Sequence, residues 1–368
     1  MPPNANSVGG AKYGAISWSN YLHIALILIS MPLTLTLKAL TSFAYAPSPA
    51  NAYAQKPLKR RISDTVARSV FSSGLSISES QWALGPGLHI YQQWAKRYKL
   101  DFTIDKLRSN LEKGDSHDHL LWIGPKRTNK VVLVLPGKRG IQVLRIERHS
   151  HFDRWSVFFP ATEMMFKFWR CSQLEWEKQG LEIGIAILSY SVLPEGAFPA
   201  QLHQATRAIE YLFANGCDPS NLQLVGDSAG GNLLWQLLSH LLHPIPSPQN
   251  YYYALTSGEE KPGQLYVAQL PESHIPYAEP ILVPDDWYSG LNNIVDRILV
   301  STGAEERFFD QDVVFFEKKI KPHHRDAALE IQEGGLHDDP IMDFFLFDAP
   351  LENTLTPIIW EWIAKGFQ

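Results

Sequence analysis

The chain has 368 residues, 45% of them apolar and 19% charged, with a formal net charge of -5. That length suits one large catalytic domain plus an appendage, and that composition is globular rather than disordered. The acidic balance, with no basic helix interleaved with aromatics, excludes a nucleic-acid partner; two isolated cysteines, Cys171 and Cys217, exclude a disulfide framework and a zinc site.

Residues 13–37 run from Lys12 to Lys38 without a formal charge. About 20 apolar residues in a helix cross a bilayer core, so the run is long enough to span one. The first acidic residue is Asp64, whereas Lys56, Lys59, Arg60, Arg61 and Arg68 crowd the stretch that follows the run. That bias places the catalytic part on the cytoplasmic side, and no Asn-x-Ser/Thr sequon demands a lumenal one. Pro32 leaves a second arrangement open, an interfacial helix lying on the membrane rather than through it. A cleaved signal peptide and a buried cap helix are the competing readings; the single lysine and the length of the run count against the former. Residues 46–57, rich in Pro, Ala, Ser and Asn, read as a linker. The expected organisation is an anchor over 1–45, a linker and pre-domain segment over 46–84, and a catalytic domain over 85–368.

Beyond residue 85 strands and helices alternate. Residues 130–135 are a short apolar run of the kind that forms a fully buried parallel strand, ended by turn chemistry at Pro136-Gly137. A helix over 162–179, with an apolar face through Met165, Phe168 and Trp169, stops at Gly180. A strand over 181–188 and a helix over 199–215 follow, closed by Gly216. Residues 221–225 form the next strand. It runs directly into Gly226-Asp227-Ser228-Ala229-Gly230, with a helix expected over 232–242.

A G-x-S-x-G pentapeptide between a strand and a helix is a nucleophile elbow. The tight turn strains the serine backbone, and the flanking glycines let strand and helix approach closely. Amides at the helix start then face developing negative charge beside the serine oxygen. Ser228 needs a base, and the base needs an orienting acid. In this architecture acid and histidine follow the serine in that order. Six histidines follow Ser228. His240 and His243 lie on or just past the next helix, His274 lies in an insertion, and His323 and His324 sit in a charged stretch. His337 follows a final strand over 328–331 and a Gly334-Gly335 loop, so it is the candidate base. The acid belongs after the strand over 297–302, where Glu305, Glu306 and Asp310 are all in range.

These segments resemble the hormone-sensitive-lipase-like branch of the α/β-hydrolases, especially its fungal members, over roughly residues 125–365. GDSAGGNL at 226–233, YSVLPEGAFPA at 190–200 and GLHDDPI at 335–341 carry the resemblance. It implies a mostly parallel sheet flanked by helices, with Glu306 as the triad acid and Asp310 in reserve. It also implies an apolar amino-terminal segment of the sort read above. The branch carries His-Gly-Gly-Gly after its early strand for the oxyanion hole; this chain has Pro136-Gly137-Lys138-Arg139 instead. Backbone amides of Gly137, Lys138, Arg139 and Ala229 are therefore the expected oxyanion donors, with two side chains where the family has hydrogens. The region between 242 and 276 is short, and residues 264–270 are a weak substitute for its sixth strand.

The leading expectation is hydrolysis of a carboxylic ester of an apolar small molecule, in secondary metabolism, with no cofactor and no metal. A non-hydrolytic cyclase or condensing enzyme on the same fold, and a ligand-binding module descended from a hydrolase, are the alternatives. Oligomeric state is not legible.

Overall fold

The computed structural model describes residues 12–44, 56–107, 118–137, 159–193, 195–196, 198–245, 272–348 and 355–368. Strands β1 (Thr103–Lys106), β2 (His119–Ile123), β3 (Val131–Leu135), β4 (Gly184–Ser189) and β5 (Leu222–Gly226) form a sheet in the order β1-β2-β4-β3-β5. β3 pairs in parallel with both β4 and β5, while β1 and β2 add an antiparallel edge. A second, parallel pair joins β6 (Ile298–Gly303) to β7 (Ala327–Gln332). The segment 264–270, read as a weak strand, lies outside the described residues.

The all-apolar sequence of β3 follows from its position. Val131, Leu133 and Leu135 face one core, with Leu202 and Ala205 of helix α6 (Ala200–Ala214) and Leu233 and Leu237 of α7 (Ala229–Leu242). Val132 and Val134 face the other, with Tyr91 and Trp94 of α4 (Gly87–Arg97), Phe166, Phe168 and Trp169 of α5 (Glu163–Lys178), and Ile363 of the last helix, Leu355–Lys365. Both faces are covered, so no alternation is possible. The two edge strands were not read from the sequence. Their partners, β1 with β2 and β2 with β4, are set by distant segments rather than by local pattern.

Helix α1 (Trp18–Ala44) contains the apolar run; its stretch Trp18–Leu37 has mean hydropathy 1.6 and is long and apolar enough to cross a membrane. Its surface is unlike a core helix: Trp18 is 88% exposed and Ile29 76%. One set of contacts with the rest of the protein lies near its start. Asn20 Nδ2 donates to Glu79 Oε1 at 2.9 Å, His23 Nδ1 lies 2.9 Å from the same oxygen, and Tyr21 meets the Trp82 ring edge-on. Glu79 and Trp82 belong to α3 (Ile77–Leu84), which begins with a capping box at Ser76. Between them lies α2 (Leu58–Phe71). The pre-domain segment read from the sequence thus carries two helices, over 58–71 and 77–84, and Arg60, Ser63 and Asp64 are buried.

Candidate active site

The site assembles at the carboxyl ends of β5, β6 and β7, where open α/β sheets present their ligands. Ser228 follows β5 with φ 50° and ψ -118°, a conformation that costs a non-glycine residue about 1–3 kcal/mol. Two close approaches hold it there. A Cβ on Gly226 would strike the Gly230 carbonyl, and a Cβ on Gly230 would strike the carbonyl of Leu135 in β3. Helix α7 starts at Ala229, immediately after the serine, three residues before the expected start at Asn232. The elbow needs glycines for clearance, and packing overrides their poor helix propensity.

His337 lies on the loop after β7 and Glu306 on the loop after β6. His337 Nε2 is 2.8 Å from Ser228 Oγ, and His337 Nδ1 is 2.5 Å from Glu306 Oε2. The other carboxylate oxygen of Glu306 accepts from Thr302 Oγ1 at 2.5 Å and from the Gly303 N–H at 2.9 Å. Burial pushes the Glu306 carboxyl up, but the hydrogen bonds from His337, Thr302 and Gly303 prevail and hold it below the usual carboxylate range. Glu306 is thus charged and aimed. Asp310, the reserve acid, is exposed in the first turn of α8 (Phe309–Phe315), and Glu305 is exposed too. The edge of the Phe308 ring packs on the imidazole, with centroids 5.4 Å apart.

The expected oxyanion donors divide. Ala229 opens α7, so its N–H has no intrahelical acceptor. The Gly137 N–H is hydrogen-bonded to Asp227, next to the serine, so this amide already has an acceptor. Lys138 and Arg139 lie outside the described residues. Burial, aided by the Asp338 carboxylate, holds the Asp227 carboxyl well above its ordinary range.

Two residues that sequence reasoning missed complete the surroundings of Glu306. Thr302 Oγ1 is 2.5 Å from Glu306 and also 2.9 Å from Asp312 Oδ2. A hydroxyl has one proton to donate. With that proton on Glu306, the Asp312 contact requires Asp312 itself to donate, hence to be protonated. Burial, then the neighbouring Glu306, push Asp312 up to about 7. No local motif announces this pair, because α8 and the end of β6 meet only in three dimensions.

A cavity of about 420 Å³ opens over these groups, lined by Trp235, Ile281, Phe308, Phe315 and Leu336 together with Ser228 and His337. Trp235 packs edge-on against both Tyr288 and Phe315. Among the described residues no cluster of His, Cys, Asp or Glu has the arrangement to hold a metal ion.

A family model described as alpha/beta hydrolase fold matches residues 179–338. No curated protein matches the chain. Among solved structures, an esterase from the bacterial hormone-sensitive lipase family is 20% identical, with 86% of this chain and 95% of that one covered at a TM-score of 0.50. An arylesterase is 15% identical over 85% of this chain and 99% of its own, at a TM-score of 0.52. Esterase LipW from Mycobacterium marinum is 13% identical over 88% and 98%, also at 0.52. The chain therefore has the α/β-hydrolase fold.

The protonation of Asp312 has a measurable sign. Its folded value, about 7, lies above the ordinary 3.8. Such a group destabilises the folded state increasingly as pH rises between those values, and fully above the higher one. Asp312→Asn keeps a donor for Thr302 without the charge. We expect the variant to gain about 1–3 kcal/mol more stability at pH 8 than at pH 5, read from denaturant midpoints. Equal effects at both pH values would mean that Asp312 is ionised throughout.

Proposed function

We propose that the chain is a serine hydrolase that cleaves a carboxylic ester of an apolar small molecule through an acyl-enzyme. The carrying observation is the unbroken Ser228–His337–Glu306 relay, with contacts of 2.8 and 2.5 Å. Esterases among the structural neighbours and the aromatic-lined cavity support the same reading.

In this reading Ser228 Oγ attacks the ester carbonyl carbon while its proton passes to His337 Nε2. Glu306 holds the other ring nitrogen and stabilises the imidazolium, and Asp338, 3.6 Å from Nε2, adds to that field. The tetrahedral oxyanion forms beside the Ala229 N–H. Collapse breaks the ester C–O bond, His337 returns the proton to the leaving alcohol, and the acyl group stays on Ser228. A water then attacks that acyl carbon, giving its proton to His337. The carboxylic acid leaves and Ser228 recovers its hydrogen. The cavity selects an apolar acyl or alcohol group, since burying such a group gains roughly 25 cal/mol per Å².

Helix α1 is best read as a membrane anchor. Its exposed apolar surface has no cover among the described residues, and a bilayer would supply one. The basic residues that follow it favour a cytoplasmic catalytic domain. A secondary-metabolite ester taken up from the membrane suits this arrangement.

Ser228→Ala should abolish both ester cleavage and labelling by a fluorophosphonate; labelling that persists in the folded variant would remove Ser228 from the mechanism. Glu306→Gln should lower kcat by about 10³–10⁴-fold through loss of the productive tautomer, with Asp310→Asn close to wild type. The reverse ranking would transfer the role to Asp310. Deleting residues 1–45 should release the protein from membranes while preserving activity on a soluble ester, and a full-length protein found soluble without detergent would contradict the anchor.

A further inference from the structure

The loop that presents His337 is fastened from the far end of the sequence. Arg60, in the first turn of α2, is 2% exposed, and its guanidinium is divided among three carboxylates. Nε donates to Asp64 Oδ1 at 2.7 Å, Nη1 to the Asp339 carbonyl at 3.1 Å, and the two Nη groups reach the side chains of Asp343 and Asp339. Lys56 Nζ adds a second cation, 3.2 Å from Asp339 Oδ1. All three aspartates are nearly inaccessible to solvent.

Asp339 is the hub. It lies two residues beyond His337. Its Oδ1 also accepts the N–H of Leu336, the residue immediately before the histidine, at 3.2 Å. Its Oδ2 accepts from Gln332 Nε2, at the end of β7, at 2.6 Å. One carboxylate thereby ties the strand end, the residue before the base and helix α2 into a single unit. An unpaired buried carboxylate would be costly here, so the orientation of Asp339 depends on two cations, Arg60 in α2 and Lys56 two residues before the helix. The planar five-donor guanidinium suits that branching contact; an ammonium at the same position has no such fork.

We infer that Arg60, with Lys56, is a positioning residue for His337: the amino-terminal segment completes the catalytic loop as well as connecting it to the anchor. Arg60 touches no reacting atom and acts through Asp339 on the loop that fixes the Nε2–Oγ distance. A misplacement of about 1 Å in a reacting group costs on the order of 100-fold in rate. Removing residues 1–45 leaves this contact whole, whereas removing the chain through α2 takes it away.

The inference rests on the hydrolase reading of Ser228 and His337, and one experiment separates the two. Arg60→Gln, Arg60→Lys and Asp64→Asn in the full-length protein would be compared with wild type on a soluble p-nitrophenyl butyrate substrate. Fluorophosphonate labelling rates and melting curves would be recorded for each. We expect Arg60→Gln to lower kcat and labelling by about 30- to 100-fold at a KM within about twofold. Arg60→Lys should recover part of the loss. Asp64→Asn, which alters the cluster on the α2 side only, should lower the melting temperature yet keep kcat within about threefold. A folded Arg60→Gln that keeps kcat within about threefold, or an Asp64→Asn loss in kcat equal to that of Arg60→Gln, overturns the inference, because either assigns the cluster to stability alone. If Arg60→Gln does not fold, Lys56→Met replaces it: a several-fold fall in kcat at constant KM supports the inference, and an unchanged kcat overturns it. A wild type inert toward both ester and fluorophosphonate overturns the hydrolase reading and this inference together, whereas an active wild type beside an equally active Arg60→Gln overturns this inference alone.

Discussion

A serine hydroxyl that must stand clear of the strand before it and the helix after it has almost no relaxed backbone available. The elbow meets the requirement by holding Ser228 at a positive φ, and it can do so because the neighbouring chain leaves room for no other shape. Gly230 lies against the Leu135 carbonyl at the end of β3, and Gly226 against Gly230. The buried middle of the sheet thus bears the strain at Ser228. Everything else in the site is arranged around that fixed oxygen: β6 delivers Glu306, β7 delivers His337, and α7 delivers an amide without an intrahelical partner.

Carboxyl groups are dense around this oxygen. Asp227, Glu306, Asp312 and Asp338 surround one imidazole. Full ionisation of all four would be expensive in a partly dry site, and the carboxyls respond unequally. Glu306, given a ring N–H, a hydroxyl and a backbone amide, stays charged, whereas Asp227 and Asp312 are pushed toward the protonated form. The imbalance leaves a charged carboxylate at hydrogen-bonding distance from the His337 ring. It also explains why Thr302 serves two acids with one proton.

The amino-terminal region is two things in sequence order. Its first helix exposes an apolar surface to the surroundings, and its second inserts a guanidinium beneath the loop that carries His337. Composition distinguishes the former easily. The latter is one basic residue among several in the run from Lys56 to Arg68, and its periodicity gives no hint that Arg60 points inward while Lys59 stays exposed.

The sequence by itself determined the elbow, the central strand and the order of Ser228, Glu306 and His337 along the chain, because each depends on short-range chemistry. A strained turn needs glycines, a strand covered on both faces needs consecutive apolar residues, and the fold's topology orders the loops. It also marked α1, since 25 uncharged residues in succession are visible without any contact map. Tertiary structure alone decided how Glu306 is held, why α7 begins at Ala229, that Gly137 turns its amide to Asp227, and that Asp339 is shared between Gln332, Lys56 and Arg60. Each of these is a contact between segments whose separation along the chain carries no periodic signature. The physical reason is common to all of them: a buried charge or amide takes whichever partner the packed sheet brings within hydrogen-bonding distance, and that partner is selected by the fold rather than by its neighbours in sequence.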